Sequence, residues 1–181
     1  MNRSLLAGRY AKALLAYALE LGEAEVLYPI LRDWRYKLHA LRGMVNNPTL
    51  SERVRSEMVV AMVGECAPVS LRRFVDLVFS HNRESLLGDM AMAYVRLYRE
   101  HKGITFVEVR SAEPLDSHTQ QRVVELVRRL RGGEIEMAVE VDKGLLGGFV
   151  LRVDGELLDG SAKSAIERIR QQFVNKNKTI V

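Results

Sequence analysis

The sequence predicts an α+β protein: an all-helical bundle over residues 1–103, then a small α/β domain over residues 104–181. Two observations carry this. Up to Gly103, apolar residues recur at steps of three and four, the period of a helix packed on one side. After Gly103 the period drops to two, in short β-branched runs interrupted by helical stretches. With 48% hydrophobic residues the chain has enough apolar mass for packed cores.

The elements follow in order. Leu6, Tyr10, Ala13, Leu14, Tyr17 and Leu21 mark a first helix. A second runs from about Glu23 to Leu41, with Val26, Leu27, Ile30, Leu31, Trp34 and Leu38 on one stripe and Pro29 in its opening turns. Asn46-Asn47-Pro48 is a loop. Ser51 caps a third helix holding Val54, Met58, Val59 and Met62. Pro68 and Ser70 open a fourth, with Leu71, Phe74, Val75, Leu77, Val78 and Phe79. His81-Asn82-Arg83 turns the chain into a fifth, with Leu86, Leu87, Met90, Ala91, Tyr94, Val95 and Tyr98, ending near Gly103. Then come a strand over 104–110, a break at Pro114, and a helix from about Asp116 to Leu130 with Val123, Val124, Leu126, Val127 and Leu130 facing inward. Gly132-Gly133 ends that helix, and 135–141 form a second strand. Residues 149–153 and 156–158 pair as a hairpin across Asp154-Gly155, a dipeptide that tolerates the positive φ angles of a type I′ turn. A last helix spans about Ser161 to Phe173, and the tail after it is expected to fray.

Residues 1–103 carry 15 Lys/Arg against 11 Asp/Glu, and residues 104–181 carry 12 against 12. So small a surplus does not demand a polyanionic partner. The single cysteine, Cys66, allows no internal disulfide and suits a reducing compartment. The opening apolar run is broken by Arg9 and Lys12 and passes into Glu20, Glu23 and Glu25, unlike a signal peptide. No uncharged run reaches the roughly 18 residues of a membrane span.

Little in the sequence points to chemistry. The glycines of Gly144-Leu-Leu-Gly-Gly-Phe-Val-Leu-Arg-Val precede a strand, whereas a phosphate loop needs a helix N-terminus behind it. They read as scaffolding, with Gly147-Gly148 turning the backbone into the strand. Asp159 and Ser161 read as caps of the last helix, and no nucleophile elbow surrounds Ser161. His39, His81, His101 and His118 lack metal-ligand spacing. Arg128, Arg129 and Arg131 close a helix, where cations offset its dipole. The sequence therefore predicts no catalytic site, no cofactor and no metal. An RNA-binding helical bundle is the alternative from another class.

The first helix is apolar over too wide an arc. Leu6, Tyr10, Ala13, Leu14, Tyr17 and Leu21 occupy one face, and Ala11, Leu15, Ala18 and Leu19 the next. The fifth shows the same excess, with Leu86, Met90, Ala93 and Leu97 beside Leu87, Ala91, Tyr94 and Tyr98. Such an excess means either burial at the centre of a bundle or a groove for a partner helix.

Arg9-Tyr10-Ala11-Lys12-Ala13-Leu14, Asn46-Asn47-Pro48, Val107-Glu-Val-Arg-Ser-Ala-Glu-Pro-Leu115, Asp142-Lys-Gly-Leu-Leu-Gly-Gly-Phe-Val-Leu-Arg-Val153 and Leu158-Asp-Gly-Ser161 stand in an order that resembles the delta subunit of F-type ATP synthases, whose mitochondrial relative is the oligomycin-sensitivity-conferring protein. The resemblance spans essentially the whole chain. It implies a non-catalytic stator subunit on the cytoplasmic face of the bacterial plasma membrane. The helical domain would bind N-terminal helices of the alpha subunits, and the C-terminal domain the b subunits of the peripheral stalk. It places the alpha helix between the first and fifth helices and carries over Tyr10, Ala13 and Leu14, with Val78 and Tyr94. The over-apolar arcs add Tyr17 and Met90. Ile166 and Ile169 stand where the family often has leucine.

Overall fold

The computed structural model describes residues 3–159 apart from Asn46, Pro48, Glu65 and Leu146. The expected last helix, with Ser161, Ile166, Ile169 and Phe173, the tail, and the capping role of Asp159 and Ser161 lie outside what it describes, as does part of the Asn46–Pro48 loop. The chain divides into two compact units, Met1–His101 and Lys102–Val181.

The first unit consists of α1 (Arg3–Glu20), α2 (Ala24–Val45), α3 (Glu52–Ala61), α4 (Val69–Ser80) and α5 (Leu87–Lys102), the last preceded by a short 3-10 turn over Glu84–Leu86. Its core is apolar and dense, with Leu27, Leu31, Trp34, Leu71, Val75, Val78, Met90 and Tyr94 all fully buried. The Tyr94 hydroxyl escapes the cost of burial by donating to the Ala24 carbonyl at 3.0 Å. Burial first, and the neighbouring Tyr98 second, push its ionisation well above that of a free phenol.

The starts of α3 and α4 are satisfied in different ways. Ser51 caps α3 through Val54 N–H, as its position suggests. Pro68 has no side chain to cap α4. Glu23, from the α1–α2 turn, does so instead, accepting from Val69 N–H at 3.0 Å, from Ser70 N–H at 2.8 Å and from the Ser70 hydroxyl. Arg55 and Glu84 form a largely buried ion pair at 2.6 Å, and Arg55 also donates to the Val45 carbonyl. That pair ties α3 to the end of α2 and to the turn before α5. Asn82, at φ +53°, reverses the chain after α4.

The second unit is a four-stranded sheet in the order β2-β1-β3-β4, from β1 (Ile104–Ser111), β2 (Glu134–Val141), β3 (Phe149–Val153) and β4 (Glu156–Asp159), with α6 (Ser117–Arg131) as the crossover between the parallel pair β1 and β2. β3 and β4 run antiparallel. Burial alternates along β1: Thr105, Val107, Val109 and Ser111 are buried, and the residues between them half-buried. Val107, Val109, Leu151 and Val127 of α6 form the core, with Val123 packed against it. The opposite face carries a ladder of charge pairs, Arg152–Glu108, Glu108–Arg110 and Arg110–Glu140.

Two expectations for α6 need correction. Leu126 and Leu130 are not inward but 54% and 74% exposed. Val123 and Val127 pack on the sheet, and Leu126 and Leu130, on the same side of the helix at spacings of three, four and seven, are left largely uncovered by the described residues. Asp116 caps α6 through Thr119 N–H at 2.6 Å, and that bond, with help from the Thr119 hydroxyl, holds the carboxyl below its ordinary range.

The glycine-rich segment is scaffolding. Gly147 and Gly148 take φ of +138° and +79° and lead directly into β3, so a strand and not a helix follows them. Asp154 and Gly155, at φ +48° and +95°, make the two-residue hairpin turn.

Candidate partner-binding groove

The two over-apolar helices have different explanations. In α5, Leu86 just before it and Leu87, Met90, Ala91, Tyr94, Val95 and Tyr98 are all buried, so its wide arc is that of a central helix. In α1 the buried stripe is Ala7, Ala11, Leu14, Leu15 and Ala18. Tyr10 and Tyr17 are only half-buried and Ala13 is exposed, so α1 retains a second apolar face.

That face opens on α4. Arg9, Tyr10, Ala13, Leu14 and Tyr17 of α1 and Ser70, Arg73, Phe74 and Leu77 of α4 line a groove of about 350 Å³. The sequence reading placed the groove between the first and fifth helices; here its second wall is α4. Tyr10, Ala13, Leu14 and Tyr17 come together on it. Val78, Met90 and Tyr94 do not reach it: each is 0% exposed, in the core. Val78 stands one residue past Leu77, a rotation of about 100° around the helix, which turns it inward while Leu77 faces out.

Leu77 is 47% exposed. A leucine left half in water forgoes roughly 1 kcal/mol of burial, which a partner surface recovers. Arg9, Ser70, Arg73, Phe74 and Leu77 escaped the sequence reading. The signal was present in α4, whose Leu77 falls outside the stripe made by Leu71, Phe74, Val75 and Val78. A wider cleft between α3 and α4, of about 660 Å³, mixes Arg53, Glu57, Arg72 and Asp76. Its Arg53–Glu57 pair is internally satisfied at 2.9 Å, so it offers an apolar helix little.

Two tyrosine–arginine pairs border the α1–α4 groove. Arg83 donates to the Tyr10 hydroxyl at 2.7 Å, with its guanidinium 5.3 Å from the ring centroid. Arg73 donates to the Tyr17 hydroxyl and lies 5.8 Å from that ring. The edge of the Tyr10 ring packs on Phe74, joining the two walls. Among the described residues no group of His, Cys, Asp and Glu is placed to hold a metal ion. No described helix is long and apolar enough to cross a membrane.

The family model for the ATP synthase delta (OSCP) subunit matches residues 6–173. The chain is 35% identical over 185 residues to the ATP synthase subunit delta of Phocaeicola vulgatus, covering all of both chains. It is 27% identical over 176 residues to that of Carboxydothermus hydrogenoformans, covering 96% of this chain and 99% of the other. A chain of the Toxoplasma gondii mitochondrial ATP synthase hexamer shares the fold, with a TM-score of 0.76 at 22% identity over 93% of this chain and 97% of that one. These likenesses leave the RNA-binding alternative without support. The chain belongs to the ATP synthase delta (OSCP) subunit family and is a non-catalytic stator subunit of the F-type ATP synthase.

Proposed function

We propose that the α1–α4 groove seats the N-terminal helix of an alpha subunit of the catalytic head, while the unit from Lys102 onward binds the b subunits of the peripheral stalk. So placed, the protein lies peripherally on the cytoplasmic side of the bacterial plasma membrane. It keeps the head from turning with the rotor, so that proton-driven rotation is coupled to ATP synthesis. The supporting observation is the apolar floor of Tyr10, Ala13, Leu14, Phe74 and Leu77, open along α1 and α4. Amphipathic helices bind such grooves through anchors at helical spacing. Val78, Met90 and Tyr94 act indirectly in this reading, by fixing from within the core the walls that the occupant touches.

Calorimetric titration of the full chain with a peptide of the alpha-subunit N-terminal helix tests this. One-to-one binding is expected, over an interface on the order of 1,500 Å². Leu77→Asp and Tyr10→Asp each put a carboxylate into the apolar stripe that the occupant covers and should weaken binding by roughly 2–4 kcal/mol. Undiminished affinity in both folded variants would refute the groove.

A further inference from the structure

Resting on the groove as a helix-binding site, we propose that its occupant carries carboxylates about two turns apart beside its apolar stripe, received by Arg9 and Arg83 at one end and Arg73 at the other. Arg9 and Arg73 line the groove, and no Asp or Glu does. None of the three arginines is paired with a carboxylate among the described residues. Acids close by along the chain are otherwise placed: Asp76 lines the α3–α4 cleft, Glu84 is taken by Arg55, and Glu20 is exposed in the last turn of α1. The positive surplus of the whole chain lies in this helical half, as the charge counts show.

The geometry makes these cations receptive. A guanidinium carries five N–H donors, and a phenol oxygen takes only one or two of them. Tyr10 and Tyr17 thus hold Arg83 and Arg73 by ring and hydroxyl and leave donors for a bidentate carboxylate. Side chains already held in place lose less freedom on binding. Tyr10 and Tyr17 are seven residues apart on α1, a separation of about 10 Å along its axis. An occupant helix lying along the groove meets both ends with acids at i and i+7.

The test uses the full chain and three designed amphipathic peptides of about 20 residues, long enough to hold helix, with one shared apolar stripe. They carry Glu, Gln or Lys at the same two flanking positions, seven residues apart. Calorimetry should rank Glu over Gln over Lys, with about a tenfold span between the extremes at about 50 mM salt that narrows at about 300 mM. The double variant Arg9→Glu with Arg73→Glu should invert the ranking, since two added carboxylates then outnumber Arg83, and Arg9→Gln with Arg73→Gln should narrow the span to the share that Arg83 alone supplies. Binding of all three peptides within twofold would overturn the charge reading and leave a groove that reads apolar shape alone. Failure of all three while the alpha-subunit helix binds would overturn it too. Failure of every peptide, the alpha-subunit helix included, would remove the helix-binding site itself.

Discussion

Glu23 shows how one carboxylate can hold an element it does not belong to. It sits in the turn after α1, yet it satisfies the first donors of α4. Partial burial raises its pKa, but the Ser70 hydroxyl and then the Ser70 and Val69 N–H groups outweigh that and hold the carboxyl below the usual 4.5. A depressed carboxyl pKa adds stability that is fully present above 4.5 and is lost as the pH falls through the lower, folded-state value. Glu23→Gln should therefore lower stability at neutral pH, where the wild-type carboxylate is charged. Denaturant titrations at several pH values should show the gap from wild type closing in acid; a gap independent of pH would contradict this role. No sequence pattern revealed the cap, because its partners are 46 and 47 residues away. The Leu77–Val78 distinction, by contrast, is carried by the period of α4, whose stripe of Leu71, Phe74, Val75 and Val78 leaves Leu77 outside.

At the scale of elements, the sequence was far easier to read. The change of period at Gly103, the Asp154-Gly155 turn and the Gly132-Gly133 stop all lie where the structure has them, because each rests on local backbone chemistry. The choice of groove wall does not, since it depends on which helices become neighbours. Gly133 shows how firmly the local signals bind. Its φ is +72°, and a Cβ there would stand 2.6 Å from the Gly103 carbonyl oxygen, at the start of β1. Gly133→Ala should thus cost about 2 kcal/mol through strain and that backbone clash. A melting curve identical to wild type would show that the β1–β2 base can shift to admit a methyl group.

For the molecule as a whole, the division after His101 separates two cores, one built around Leu27, Trp34, Leu71 and Tyr94 and one around Val107, Val109, Val127 and Leu151. Scanning calorimetry should resolve two unfolding transitions. A groove-binding peptide at a hundred times its Kd should stabilise only the helical one, by about 2.7 kcal/mol. A single transition moved as a whole would mean that the units unfold together. Trp34, the only tryptophan, is fully buried in α2, and its indole N–H has no hydrogen-bond partner among the described residues. All six tyrosines also precede residue 104. Intrinsic tryptophan and tyrosine emission therefore comes only from the helical half, so the unmodified protein carries an optical reporter that follows the bundle and is blind to the sheet.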